Sequence, residues 1–436
     1  MTNLIFSFDT EDFTSAYAAD GILDAAELLR AEGIRGCFCM VGLLAKQLLA
    51  WGRADVLEAL KYHEVDFHTY GHTLHPTIGE YTDRADFGAA YAEVMRQESE
   101  GLSYVKAATG VERVYAAVPP GEDKSYVAMY AYADLGIPCY CDTYADTADG
   151  RGVFFCNALH MEYVKSFEAI HGGGHAGDPA FYDRLAARKN AILYNHPNRL
   201  RYDDFWDKVN YDGENLSPFG QWKEAARTGE AERRAFLEDV RRLVKTLKAD
   251  GRFAFKTYAD IVAERCGGAR ILTPADIPAL RRALEERFYP QETPVSLSIA
   301  DIFAAAAAFL RGEALFAAGR VYGFLDEPEG ISAPVTVAAA DVREAAAKLE
   351  TQAFLPPSFS VGGVKLGPAD FLFAMLGVLC GEEAVALTPR PQNIDLSAFP
   401  KLAAPEICTW SVHAPQFTAE YLNRRLPLQA WTLRMS

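Results

Sequence analysis

At 436 residues the chain is longer than one ordinary hydrophobic core supports, and half of it is hydrophobic, so two or three globular domains are expected. A formal net charge of −16 argues against nucleic acid and anionic membrane surfaces as partners, because lysine and arginine chiefly hold both. No apolar run reaches the roughly 18 residues of a membrane span, the opening Met1–Phe13 has no basic leader, and the eight cysteines are scattered, so a reduced, cytoplasmic protein without a disulfide framework is expected.

Up to about residue 265, short β-like runs alternate with helix-period stretches. The predicted strands are Leu4–Phe8, Gly36–Val41, Val65–His68, Val114–Val118, Pro138–Asp142, Phe154–Tyr163, Ala191–Asn195 and Phe253–Thr257. Between them fall predicted helices Ile22–Glu32, Arg84–Thr109 and Glu230–Asp250, the last with Phe236, Val240, Leu243, Val244 and Leu247 on one face. Repeated strand-then-helix order predicts an α/β fold with a parallel sheet, closed as a barrel or doubly wound.

From residue 269 to 436 the character changes to alanine-rich, mainly helical sequence with scattered prolines, read as a second domain. Val295–Asp301 and Val335–Asp341, each followed by an alanine run, echo one another. The stretch Leu355–Leu376 resembles the repeat of pseudomurein-binding modules. Partner binding, covering the mouth of the first domain and homo-oligomer formation all stay open as roles for this part.

His68-Thr69-Tyr70-Gly71-His72 follows one predicted strand and Asp9-Thr10-Glu11-Asp12 ends another. Two imidazoles four residues apart can turn to one point, and a carboxylate from a neighbouring strand completes a three-ligand set that keeps a coordination position for water. In an extended run Asp9 and Glu11 project to one face and Asp12 to the other, which favours Glu11. The expected ligands are therefore Glu11, His68 and His72. Zinc is expected first among divalent ions, because a mixed nitrogen and oxygen set accepts several. Cys37-x-Cys39 and Cys139-x-Cys141 lie in apolar runs and read as packing residues. The glycine-rich His171–His175 segment, with no accompanying carboxylate motif, reads as a mobile or exposed loop.

In order along the chain, Phe8-Asp9-Thr10-Glu11, Cys37–Gly42, Asp66–His72, Pro119-Pro120-Gly121, Asp142 and Leu193-Tyr194-Asn195-His196-Pro197 resemble the motifs of polysaccharide deacetylases of the NodB-homology type. The resemblance covers residues 1 to about 265, within a first domain read as residues 1–268, and implies an irregular (β/α)7-type barrel carrying a metal-dependent hydrolase of carbon–nitrogen bonds other than peptide bonds. It implies Asp9 as general base, His196 as general acid and Asp142 as the carboxylate orienting His196. Two positions depart from the pattern. Ala116, Ala117 and Val118 stand where the third motif carries an arginine, with Lys124 the candidate substitute cation, and Tyr144 stands where the fourth motif has tryptophan.

The expected substrate is an N-acetylated sugar or glycoconjugate. Another small amide or ureide is the alternative enzyme reading, and a non-catalytic carbohydrate-binding or scaffold barrel is the rival from another class. Tyr202, Phe205, Trp206, Asp207, Asn210 and Tyr211, beyond His196, offer rings and polar groups suited to a sugar.

Overall fold

The computed structural model describes residues 1–211, 221–350, 353–408 and 412–436. The chain divides into two compact units, one comprising residues 1–152, 158–266 and 406–422, the other residues 153–157, 267–405 and 423–436.

The first unit is an α/β barrel. Its strands are β1 (Thr2–Thr10), β2 (Cys37–Met40), β3 (Glu64–Phe67), β4 (Ala116–Ala117) and β5 (Cys139–Cys141), then, past β6 (Val153–Phe155) of the second unit, β7 (Ala158–Met161), β8 (Tyr163–Ser166), β9 (Asn190–Asn195) and β10 (Phe253–Phe255). The ladder runs β7-β5-β4-β3-β2-β1-β9-β8 and every pairing in it is parallel. Its two ends, β7 and β8, are one stretch of chain broken only at Glu162, so the bent stretch 158–166 pairs with β5 through its first half and with β9 through its second. That bend closes the barrel at seven strand positions. β10 pairs with Thr2–Leu4 at the start of β1, below the segment Ser7–Thr10 that pairs with β2.

The predicted strand Phe154–Tyr163 is thus three pieces. Cys156 and Asn157 take positive φ, 46° and 69°, and turn the chain between Val153–Phe155 and Ala158–Met161. Apolar content alone does not reveal that turn, because both flanking segments are equally buried.

Residues in register on neighbouring parallel strands share a face. Ser7, Cys37 and Glu64 form one such row, and Asp9, Cys39 and Asp66 the next. The opposite face carries Phe8 and Phe38, stacked at 4.6 Å, with Phe8 also edge-on to Phe167 of the helix Phe167–Gly172. Phenylalanines therefore pack the strands against helices, and the barrel interior is filled by small and polar side chains.

In the second unit the helices Ile277–Glu286, Ile299–Leu310, Ala339–Ala347 and Pro368–Leu379 are joined by short two-stranded pairs, among them Val335–Ala338 with Ala384–Leu387 and Phe359–Val361 with Val364–Leu366. These strands of two to four residues are too short to show a periodicity, so the expectation of a mainly helical domain omits them. The echoing segments each place an aspartate third in a helix, Asp301 and Asp341, and Asp370 does the same in Pro368–Leu379. Asp301 accepts from Ser298 N at 2.9 Å and Asp370 from Gly367 N at 3.1 Å, satisfying backbone donors that a helix start leaves free. Among the described residues no helix is long and apolar enough to cross a membrane.

Candidate metal centre at the barrel mouth

His68 is the first residue after β3 and Glu11 the first after β1, so both stand at the C-terminal ends of strands, with β2 between the two. Nδ1 of His68 donates to the Val118 carbonyl at 2.7 Å. Because a carbonyl only accepts, the proton sits on Nδ1 and the lone pair on Nε2. That Nε2 is buried and has no hydrogen-bond partner among the described residues. It faces Glu11 Oε2 at 3.6 Å, while Nε2 of His72 lies 3.0 Å from the same oxygen. On the other edge of His72, Nδ1 is 3.2 Å from Thr73 Oγ1 and 3.6 Å from Asp207 Oδ2, and Thr73 Oγ1 donates to Asp207 at 3.0 Å. Two lone pairs and a carboxylate oxygen thus converge within 4.8 Å of one another in a buried setting. An unpartnered imidazole nitrogen aimed at a carboxylate oxygen needs a positive charge between them, so this donor set fits a divalent cation.

The loop holding His72 is set by backbone strain and close packing. Thr69 and His72 both take positive φ, 67° and 52°, a region that costs a residue with a side chain on the order of 1 kcal/mol or more. Thr69 Oγ1 accepts from His72 N at 2.9 Å, and the Thr69 and Tyr70 carbonyls accept from Gly42 and Leu43 N, both at 2.9 Å, at the start of the helix Gly42–Ala50. Gly101, in the helix Phe87–Thr109, permits this: a Cβ there would lie 2.7 Å from Tyr70 Cα, and one on Gly42 would lie 2.5 Å from Gly101 Cα.

Asp12 stands outside the triad. Its Oδ1 accepts from Thr14 N at 2.9 Å and Thr14 Oγ1 at 2.6 Å, closing the turn after β1, and burial pushes its carboxyl up to about 6. Glu11 is opposite in behaviour. Burial would raise it, but the charge of a protonated His72 and the closeness of His68 hold it well below the ordinary carboxylate range.

Beside the triad lies a second pair. Asp9 Oδ2 is 3.8 Å from His196 Nε2, and Asp9 Oδ1 accepts from the Tyr163 hydroxyl at 2.8 Å. Tyr163 is joined to Ser7 Oγ at 2.9 Å, and Ser7 to the Tyr258 hydroxyl at 3.0 Å, so a chain of hydroxyls runs into the barrel beneath Asp9. Burial raises the Asp9 carboxyl above its usual range, with His68 and His196 opposing it.

The carboxylate that touches His196 is Glu168, not Asp142. Glu168 Oε1 accepts from Asn195 Nδ2 and His196 N, both at 2.9 Å, and lies 3.1 Å from His196 Nδ1. Burial alone would lower His196, but Glu168 outweighs it and pushes the imidazole up to about 10. Asp142, at φ 55°, pairs instead with Lys124 Nζ at 3.1 Å. Lys124 therefore pairs with Asp142 rather than with Asp9, whose neighbours are Tyr163, His68, His196 and Glu11. Tyr144 donates to Glu122 at 2.9 Å, beside the same lysine.

No family model matches the chain, and no curated protein does. Solved structures similar to it include the Puue allantoinase, at 13% identity over 61% of this chain and 92% of that one with a TM-score of 0.39. They also include the Xyl-CE4 domain of a multidomain xylanase from the hindgut metagenome of Trinervitermes trinervoides, at 13% identity over 61% and 92% with a TM-score of 0.31. A third is BA3943, a CE4 family pseudoenzyme from Bacillus anthracis, at 13% identity over 59% of this chain with a TM-score of 0.32; the chain spans 63% of that protein's length. The resemblance of Leu355–Leu376 to pseudomurein-binding repeats finds no matching family model.

The sequence does not point to Glu168, Tyr163 or Thr73 as part of the site, and it suggests Asp207 as a sugar-side group rather than a partner of His72. Tyr163 lies within a predicted strand and Asp207 within the aromatic segment after His196, but nothing in the spacing links either to Asp9 or His72. Of that segment, Trp206, Asp207 and Tyr211 are buried and Phe205 lies edge-on to His196 at 4.9 Å; residues 212–220 are outside the described residues. His171 sits in a helix, its Nδ1 2.6 Å from Asp239 Oδ2.

Proposed function

We propose that the barrel is a metal-dependent amidohydrolase removing an N-acetyl group from a sugar, a glycoconjugate or a comparable small amide. The observation that carries this reading is the unpartnered, buried Nε2 of His68 converging with His72 and Glu11 beside the Asp9–His196 pair. Glu11, His68 and His72 would hold the cation, zinc being the best match to two imidazoles and a carboxylate. Such an ion, when bound, lowers the pKa of water and polarises an amide carbonyl.

The chain's own residues supply the rest. Asp9, kept from full acidity by burial, accepts a proton at Oδ2 from the attacking water while Tyr163 fixes its other oxygen. His196, held protonated by Glu168, presents its Nε2 proton to the nitrogen of the departing amine, which leaves poorly as an anion. Asp207 and Thr73 fix the ring orientation of His72, and Val118 that of His68. Asp9, Glu11, His68 and His72 are 5%, 4%, 1% and 6% exposed, which favours a small or chain-terminal acetamide, or a cyclic amide, over the middle of a polymer.

The test is metal content and hydrolysis together. One divalent equivalent that is lost in His68→Ala/His72→Ala, with release of acetate from an acetamido-sugar panel or ring opening of a cyclic ureide, supports the proposal. Metal lost in the double variant but no hydrolysis across either panel would turn the reading to a carbohydrate-binding barrel, and metal unchanged in the double variant overturns the centre itself.

A further inference from the structure

Below the mouth, toward the N-terminal ends of the strands, the barrel holds another buried cluster. Cys37 at the start of β2 is in register with Glu64 at the start of β3, and Asp66 lies two residues further along β3, on the same face. One ligand atom from each lies within 4.8 Å of the other two, and all three residues are buried, Cys37 and Asp66 at 0% exposure. Cys37 Sγ is 3.6 Å from Glu64 Oε1. A tetrahedral cation with bonds of about 2.3 Å to sulfur and about 2.0 Å to oxygen separates those two atoms by about 3.5 Å.

Asp66 adds an independent sign. Its Oδ1 accepts from Tyr115 N at 2.9 Å and Ala116 N at 3.0 Å, whereas its Oδ2, fully buried, has no partner among the described residues. Glu64 receives the Ala259 N–H at 3.1 and 3.2 Å on its two oxygens. Two carboxylates and a sulfur, all buried, meet those three backbone donors and, at Cys37, the Tyr258 backbone, and the unpaired Asp66 Oδ2 in such a place is costly. We propose that Cys37, Glu64 and Asp66 form a second metal site in the barrel floor, binding a zinc-like divalent cation through one thiolate and two carboxylates. Binding removes the Cys37 thiol proton, which leaves to solvent as the metal enters during folding.

Cobalt distinguishes this site from the one at the mouth, whose donors are nitrogen and oxygen only. The chain would be produced in cobalt-supplemented medium with the exposed Cys266, Cys380 and Cys408 changed to serine, then washed with chelator. The expected result is a near-ultraviolet thiolate-to-cobalt charge-transfer band with about one chelator-resistant ion per chain. Both persist in the His68→Ala/His72→Ala variant, and both are lost in Cys37→Ala and in Asp66→Asn. Absence of the band in the cobalt-grown parent protein, or its persistence in Cys37→Ala, overturns the proposal; Cys37 then only donates an S–H bond to Glu64, which shares a proton with Asp66. If Cys37→Ala does not fold, the parent spectrum and Asp66→Asn decide. Failure of the mouth site would appear separately, in protein not washed with chelator, as a metal content that does not fall by about one ion on removing His68 and His72.

Discussion

Glu168 Oε1 grips His196 twice, at the backbone nitrogen (2.9 Å) and at the ring Nδ1 (3.1 Å), so one carboxylate sets both where the imidazole stands and which nitrogen faces Asp9. The helix Phe167–Gly172, capped by Ser166 on Ala169 N, delivers Glu168 straight from the end of β8, the strand beside β9 that leads to His196.

Glu168→Gln tests this pairing. The folded pKa of His196, raised to about 10, should fall toward the ordinary histidine value near 6.5, and an acid that must be protonated then fails as pH rises through neutrality. The alkaline limb of kcat/KM is expected to move down by a few pH units, with activity at pH 8 reduced about 10- to 100-fold. Nuclear magnetic resonance titration of His196 reads the same shift without substrate. An unchanged titration would mean that Glu168 serves only the backbone nitrogen.

Asp9→Asn is expected to retain metal and lose about two to four orders of magnitude in kcat. Tyr163→Phe should act more gently and with a defined sign. The Tyr163 hydrogen bond favours the charged carboxylate, so losing it raises the Asp9 pKa and moves the acid limb of kcat/KM to higher pH. An acid limb that stays in place in Tyr163→Phe would remove Tyr163 from the account of Asp9.

Gly101→Ala forces a Cβ to within 2.7 Å of Tyr70 Cα. Backbone cannot swing aside as a side chain can, so the helix or the metal loop must shift, at a cost of about 1–3 kcal/mol. Urea unfolding should show that loss, accompanied by weaker metal binding because Tyr70 and Thr69 carry the turn that aims His72. Lost stability with unchanged metal affinity would show the helix yielding and the loop staying put.

Glu98 makes stability pH-dependent. Buried in the helix Phe87–Thr109, it accepts from the Tyr132 hydroxyl at 2.8 Å and from Tyr70 N, and burial raises its carboxyl from 4.5 to about 7. Between those values the folded chain holds a proton that the unfolded chain has released. The contribution is therefore fully present below about 4.5 and lost as pH rises through 7, a change on the order of 3 kcal/mol. Glu98→Gln keeps a neutral acceptor there, so its stability relative to the parent should climb by that order between pH 5 and pH 8 in paired urea titrations. An equal difference at both pH values would show that Glu98 is ionised throughout.

Local pattern was enough for much of this protein. Apolar runs bounded by turns located the strand that carries Asp9 and the strand ends that lead into Glu11 and His68, because each buried strand must be apolar on its helix-facing side, as Phe8 and Phe38 are. Strand alternation separated Glu11 from Asp12, and the structure places Glu11 at the histidines and Asp12 in the turn. Tertiary structure alone decided which distant groups meet. Glu168 and His196 are brought together because β8 and β9 are neighbours in the barrel, and Asp207 reaches His72 across 134 residues of chain from Thr73. The cluster of Cys37, Glu64 and Asp66 arises from the register of β2 on β3. Side-chain periodicity reports which face of its own strand a residue occupies; it carries no record of which strand lies alongside, and strand order and register are settled by closure of the barrel as a whole.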